Sequence, residues 1–285
     1  MKSLLIHVHV FYPELWIEMR DCLKCIRSYS HDLFVTLSND ASGLQEEITR
    51  LFPSAKVEVV ENRGYDVAPF VHVLNQVNLG AYHYIVKIHT KRNKNEEATI
   101  NGFSVSGNRW RKLLLRFLEN EKSFQKCIDG FEKHKSVGMI CDFRLIMSVS
   151  ADNGKLRALV GDWAGKMGVR LNGGERFVAG TMFIARANLF EQFKRLNLRM
   201  SDFESGRVDH LMGVAHVMER ILGVLVYSQA CTITDCFTPV WVQLSLTKGP
   251  FFAKKIWAFI YKDKVTKSGR RIIKIFKLPV YTSIP

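Results

Sequence analysis

The sequence predicts an α/β fold: one domain over residues 1–245, built on a mostly parallel sheet with flanking helices, then a basic C-terminal segment over residues 246–285. Three observations predict it. Strand-like and helix-like patterns alternate through the first ninety residues, the rhythm of parallel strands joined by crossover helices. A short polar cluster follows each of those strands, where ligands gather in parallel sheets. No internal repeat, low-complexity stretch or Pro/Gly/Ser linker divides the 285 residues, a length that one large α/β domain or two small ones could fill.

The elements follow in chain order. Leu4 to Val10 alternates histidine with aliphatic residues, a strand signature. Pro13 to Tyr29 reads as a helix with proline in its first turn. Asp32 to Leu37 is a second strand, ending in Ser38-Asn39-Asp40-Ala41-Ser42. A helix over Gly43 to Phe52 and a strand over Lys56 to Val60 follow. The polar turn Asn62-Arg63-Gly64-Tyr65-Asp66 then leads into a helix over Val67 to Val77, and a strand over Tyr82 to Ile88 ends in His89-Thr90-Lys91-Arg92. Farther on, Arg109 to His134 reads as helix, Ser136 to Cys141 as strand, Phe177 to Ala185 as strand, and Asn188 to Leu196 and Met212 to Leu222 as helices.

Composition narrows the function. Nearly half the residues are apolar and about a quarter charged, enough for a full core. A net charge of +14 points to a polyanionic partner: nucleotide, phospholipid surface or nucleic acid. No RRM, KH or helix-turn-helix pattern supports the nucleic-acid reading. No apolar run approaches the ~20 residues that span a bilayer, and the N-terminus reads as a first strand rather than a signal peptide, so the expected compartment is the cytoplasm. Cys22 and Cys25 form a CxxC, but Cys22 falls on the helical stripe of Leu15, Met19 and Ile26, the pattern of reduced core thiols. Dinucleotide-binding GxGxxG and P-loop patterns are absent.

The tip of the fourth strand carries Lys87, His89, Lys91, Arg92 and Lys94. Such a cluster can hold phosphate oxygens by charge-assisted hydrogen bonds, or be a solvated basic loop. In the turn after the third strand, Gly64 allows a tight turn, and Asp66 either takes part in a site or supplies helix-start charge.

The stretches ENRGYDVAPF, KIHTK, RWRKLL, AGTMFIAR and HVMERILGVL, in this order, resemble the rhamnan synthesis protein F family of bacterial cell-surface polysaccharide glycosyltransferases. The resemblance covers about Leu5 to Val226. It implies a GT-A type, Rossmann-like sheet that binds a nucleoside-diphosphate sugar at its strand ends, with rhamnose the favoured sugar and a lipid-linked or polysaccharide acceptor. On that plan Tyr12 stacks on the base, and Asp40 meets ribose or base unless it simply caps the next helix. Asn62 and Arg63 offer donors to the sugar nucleotide beside Gly64. Asp66 orients Arg63 or binds sugar hydroxyls. Lys87, His89 and Lys91 face the diphosphate, with Gly180 and Thr181 close to the ligand.

Many GT-A enzymes carry Asp-x-Asp at the tip of the fourth strand to hold a divalent metal. Here the place reads Lys87-Ile88-His89-Thr90-Lys91, which repels a hard cation. The expectation is no metal and no cofactor, with the protein's own cations neutralising the leaving group. Candidate bases for the acceptor hydroxyl are Asp202, Glu204, Asp209, His216 and Glu219. His216, Glu219 and Arg220 match the family's His-x-x-Glu-Arg; the position five before the histidine, often aspartate in that family, is Leu211. Glu219 and Arg220 also read as a structural ion pair. A module that binds sugar nucleotide without turnover is the alternative.

From Lys248 to Lys277 ten basic residues stand against Asp263 alone, nine of the fourteen excess charges. Phe252, Ile256, Phe259 and Ile260 fall on one helical stripe within it. Basic amphipathic segments rich in aromatics bind anionic lipid surfaces, so peripheral attachment to the inner face of the bacterial plasma membrane is expected.

Overall fold

The computed structural model describes residues 3–92, 98–100, 103–105, 107–151, 154–206, 213–240, 242–243, 261–265, 271–275 and 278–282. The chain forms two compact units, Met1–Phe237 and Thr238–Pro285, a division eight residues before the expected boundary at 245.

In the first unit β1 (Leu4–Val10), β2 (His31–Leu37), β3 (Lys56–Val59) and β4 (Tyr84–His89) pair in parallel, joined by α1 (Trp16–Cys22), α2 (Gln45–Leu51) and α3 (Val67–Gln76). Every residue of β1 is buried, as expected of a central strand covered on both faces. The short hairpin β5 (Ala98–Ile100) and β6 (Phe103–Val105) precedes α4 (Gly107–Leu114), α5 (Glu121–Lys133) and β7 (Val137–Ile140). Then come β8 (Ile146–Ser148), α6 (Gly154–Lys166), β9 (Arg176–Val178), β10 (Phe183–Arg186), α7 (Phe190–Lys194), α8 (Val214–Ser228) and β11 (Thr232–Thr234). The main sheet has seven strands in the order β11-β7-β10-β4-β1-β2-β3. Only β10 runs antiparallel to its neighbours β4 and β7. This is the mostly parallel α/β sheet with flanking helices expected.

Several elements differ from the sequence reading. The helix over Pro13 to Tyr29 splits into a 3-10 turn, the seven residues of α1 and a second 3-10 turn. The helix over Arg109 to His134 breaks before α5, because the Asn120 side chain accepts the Ser123 N–H and starts a new helix there. The strand over Phe177 to Ala185 breaks into β9 and β10 at Gly180 and Thr181, both with positive φ (+83° and +49°). That break allows β10 to return beside β4, placing Phe183 opposite Lys87. Helix α6 was not anticipated.

The CxxC cysteines are free thiols. Cys25 donates to the Cys22 carbonyl, and burial pushes its thiol up to about 11 and that of Cys22 up to about 12. Among the described residues no helix is long and apolar enough to cross a membrane.

The second unit contains β12 (Tyr261–Val265), β13 (Arg271–Ile275) and β14 (Leu278–Thr282), an antiparallel meander. The expected stripe of Phe252, Ile256, Phe259 and Ile260 lies outside the described residues.

Candidate functional site

A cleft of about 520 Å³ opens at the carboxyl ends of β1 and β4. Its floor is set by register: β1 pairs His7 with Lys87 and His9 with His89, so four basic side chains share one face of the sheet. Helix α3 covers that face, with Phe70 stacked on His7 at 5.7 Å and 5.5 Å from Lys87 Nζ. At the start of α3 stands Asp66, the N-cap residue.

Asp66 is the hub. Its Oδ2 accepts from Lys87 Nζ at 2.5 Å and from the Thr181 hydroxyl, with His89 Nδ1 at 3.5 Å. Lys87 is fully buried and spends its other two protons on the Thr181 carbonyl and hydroxyl, each at 3.0 Å. Burial alone would raise the Asp66 pKa; the basic groups beside it override this and hold the carboxyl well below the usual range. Burial pushes His89 and His7 well below 6.5 and His9 to about 4. With those imidazoles neutral, the cations that keep Asp66 ionised are Lys87 and Lys91. His7 and His9 both reach the Thr36 hydroxyl on β2, at 2.8 and 3.0 Å.

The outer wall carries Tyr12, Lys91 and Arg92. Thr90 Oγ1 accepts the backbone N–H groups of Phe11 and Tyr12, both at 2.9 Å, tying the tips of β1 and β4 together. The Arg92 guanidinium lies 4.4 Å over the Tyr12 ring and pairs with Glu14, and Lys91 Nζ sits 5.9 Å over Trp110. Tyr65, held at φ +56°, forms the rim and meets His216 edge-on at 5.4 Å.

Of the residues singled out from sequence, Tyr12, Asn62, Asp66, His89 and Lys91 line this cleft, and Lys87, Thr181 and Gly180 stand behind it. Lys87, fully buried and fully bonded, cannot touch a ligand; it holds Asp66 instead. Arg63 is turned elsewhere, donating to Glu61 at 2.6 Å and to the Phe203 carbonyl at 3.0 Å, so it is Lys87 and not Arg63 that Asp66 meets. Gly64, at φ +56°, packs on Phe203 and gives its N–H to the Glu204 carbonyl, part of a bridge that joins Arg63 to Ser205. Asp40 is exposed in the 3-10 turn after β2, apart from the residues that line the cleft.

The candidate bases separate sharply. Asp202 is exposed and accepts the Arg199 N–H, capping a 3-10 turn. Glu204 accepts the Val214 N–H at the start of α8. Glu219 accepts the Gly180 N–H at 2.9 Å and pairs with Arg220 at 2.6 Å, while Arg220 lies 4.3 Å over Phe177. Asp209 lies outside the described residues. His216 remains: half-buried beside Tyr65, its pKa lowered by burial, with no hydrogen bond to Nδ1. Among the described residues no group of three His, Cys, Asp or Glu side chains has metal-holding geometry.

Sequence reasoning missed the buried roles of His7, His9 and Thr36, and Tyr65 at the rim. The alternating histidines of β1 were the available signal, read there only as strand periodicity.

The profile of the rhamnan synthesis protein F family matches residues 1–231. The chain belongs to that family. It is 27% identical over 255 residues to the uncharacterised protein WxcX from two strains of Xanthomonas campestris pv. campestris, a match covering 85% of this chain and 33% of WxcX. The chain thus spans about a third of the length of the curated relatives it matches. Among solved structures, residues 1–349 of TarS from S. aureus are similar at TM-score 0.39 and 11% identity, covering 82% of this chain and 58% of that one. Glucosyl-3-phosphoglycerate synthase from Mycobacterium tuberculosis, solved with Mn2+, UDP and glucosyl-3-phosphoglycerate, is similar at TM-score 0.34 and 12% identity, covering 99% and 89%. Similarities this loose carry no argument about activity.

Proposed function

We propose that this rhamnan synthesis protein F chain is a glycosyltransferase of bacterial cell-surface polysaccharide synthesis, taking a sugar from a nucleoside-diphosphate donor, with rhamnose the first candidate. The observation that carries the reading is Asp66: a carboxylate at the carboxyl edge of a parallel sheet, fixed by a buried lysine through Oδ2, its Oδ1 without a hydrogen bond from the described residues. That oxygen suits sugar hydroxyls. Lys91 and Arg92 on the rim suit the diphosphate, as cations placed where negative charge develops on the leaving group. His216, its pKa lowered by burial and its ring against Tyr65 of the cleft, is the proposed group to take the acceptor proton.

No metal is needed in this proposal. Asp66 is already neutralised by Lys87, and the residues around it are lysine, arginine and neutral histidine, a poor set for a hard cation. The acceptor is proposed to be a lipid-linked or growing polysaccharide at the inner face of the plasma membrane. A second reading, a sugar-nucleotide-binding module without turnover, is favoured by one observation: Asp202, Glu204 and Glu219 are all committed to other partners.

One experiment separates these. Nucleotide sugars, dTDP-rhamnose first, are screened for thermal stabilisation, because a ligand that binds only the folded chain raises its melting temperature. The proposal expects a shift that survives EDTA, and a His216→Asn variant that is stabilised equally but has lost about a hundredfold or more in transfer rate. No shift with any nucleotide sugar removes the reading. A shift abolished by EDTA and restored by manganese removes metal independence, and binding with no transfer by wild type favours the module.

A further inference from the structure

The loop between β9 and β10 contains a conformation that needs an explanation. Thr181 is β-branched and sits at φ +49°, an outlier for such a residue. Positions of this kind persist only where the surroundings over-determine them, and they cluster at functional sites. Thr181 is also where the two halves of the hub meet, since its hydroxyl donates to Asp66 while its carbonyl and hydroxyl both accept from Lys87. Rotation of Thr181 back to negative φ would swing that carbonyl away from Lys87 and break the pair's support.

The Thr181 N–H closes the turn on the Val178 carbonyl at 3.1 Å, and a second hold on it comes from α8. The Glu219 carboxylate accepts the N–H of Gly180, the residue before Thr181, at 2.9 Å. Its other oxygen is held by Arg220 at 2.6 Å, and Arg220 is fixed in turn by Phe177 on β9 and by the His216 carbonyl at 3.2 Å. We propose that Glu219 is a positioning residue: through Gly180 it locks Thr181 in the left-handed conformation, and so aims the Asp66 carboxylate at the ligand. The assignment rests on the nucleotide-sugar reading for what the ligand is, but not for the lock itself. It also accounts for the spacing of His216 and Glu219. One helical turn apart, they link the proton-accepting end of the site to the donor-binding hub through a single rigid element.

The test uses Glu219→Ala, Glu219→Gln, Thr181→Ala and the Glu219→Ala/Thr181→Ala double variant in the full chain. Two readouts are taken well below each variant's melting temperature: amide hydrogen exchange at Gly180 and Thr181, and affinity for dTDP, UDP, dTDP-rhamnose and UDP-glucose. Glu219→Ala is expected to speed exchange at both amides and to weaken nucleotide-sugar binding about tenfold, the order that a lost hydrogen bond to a charged group produces. Glu219→Gln, which keeps an oxygen for the Gly180 N–H, recovers most of the binding. The double variant binds no worse than the weaker single variant, because the two residues act as a unit.

Unchanged exchange at Gly180 and Thr181 in Glu219→Ala overturns the lock. Faster exchange with wild-type sugar-nucleotide affinity overturns its role in the site, as does Glu219→Gln behaving like the alanine variant. Additive losses in the double variant overturn the coupling. If wild type binds none of the four probes, the nucleotide-sugar reading falls, while the exchange result still decides the lock.

Discussion

Asp66 collects basic side chains that would, in water, all be charged below pH 6. Burial does not permit that. His7, His9 and His89 are each at most 4% exposed, and all three are held neutral by loss of hydration. The consequence for stability follows from linkage. In the unfolded chain each imidazole titrates near the ordinary 6.5; in the folded chain His9 titrates at about 4 and the other two well below 6.5. Between those values the unfolded state binds more protons, so stability is complete above pH ~6.5 and falls as pH drops through the window toward 4. Asp66 has the opposite chemistry: its depressed carboxyl contributes stability above the usual carboxylate range, lost only at lower pH. We therefore expect the urea midpoint to be flat from pH 8 to about 7, then to fall steeply between about 6.5 and 5, where the histidines act before the acids do. His9→Asn should shallow that fall. A midpoint independent of pH down to 5, or a fall unchanged in His9→Asn, would show that these imidazoles titrate normally in the folded chain.

Helix α8 ties these groups to β9, which pairs with β8 in a two-stranded sheet separate from the main one. It packs on β9 so closely that a Cβ at Gly223 would lie 2.1 Å from the Arg176 carbonyl oxygen and 2.6 Å from the Phe177 Cα. Alanine in place of a mid-helix glycine ordinarily stabilises by ~0.5–1 kcal/mol. Here the sign reverses, because the obstacle is backbone and cannot rotate aside. Gly223→Ala should destabilise by roughly 1–3 kcal/mol, read as a lower urea midpoint with the slope unchanged; a stabilised variant would mean that α8 and β9 are farther apart than this. That contact was not legible in HVMERILGVL, where the glycine interrupts a strong helical pattern without explanation. Other features were legible. Strands β1 to β4 and helix α3 follow from apolar periodicity and turn chemistry, and the polar clusters at the tips of β1, β3 and β4 fall at the edge where the cleft opens. What periodicity could not supply was commitment. Arg63 and Glu204 look like free polar groups in sequence, yet Arg63 bonds Glu61 and the Phe203 carbonyl, while Glu204 caps α8. Lys87 looked like a ligand-facing cation until its register beside His7 put it in the interior. The break at Gly180 and Thr181 looks like continuous strand in sequence for a similar reason: besides the local bond to the Val178 carbonyl, the left-handed threonine is held by distant Asp66 and Lys87, and its neighbour Gly180 by Glu219.

At the scale of the whole molecule the charge is uneven: nine of the fourteen excess positive charges lie between Lys248 and Lys277, in the second unit. Part of that segment forms the β12–β14 meander, whose antiparallel register sets Lys262 opposite Lys274. An anionic surface would attract a segment carrying this excess of positive charge. Each lysine or arginine near such a surface contributes about 1 kcal/mol, and the attraction is lost within a Debye length, ~10 Å at 0.1 M salt. A peripheral membrane role therefore predicts that the full chain sediments with vesicles containing phosphatidylglycerol, does not sediment with phosphatidylcholine alone, and is released by high salt. Lys262→Glu combined with Lys274→Glu should weaken sedimentation strongly, and a chain ending before Lys248 should abolish it. Binding that persists in the shortened chain would move the membrane contact to the first unit. Equal binding to both vesicle types would replace charge with apolar insertion as its cause.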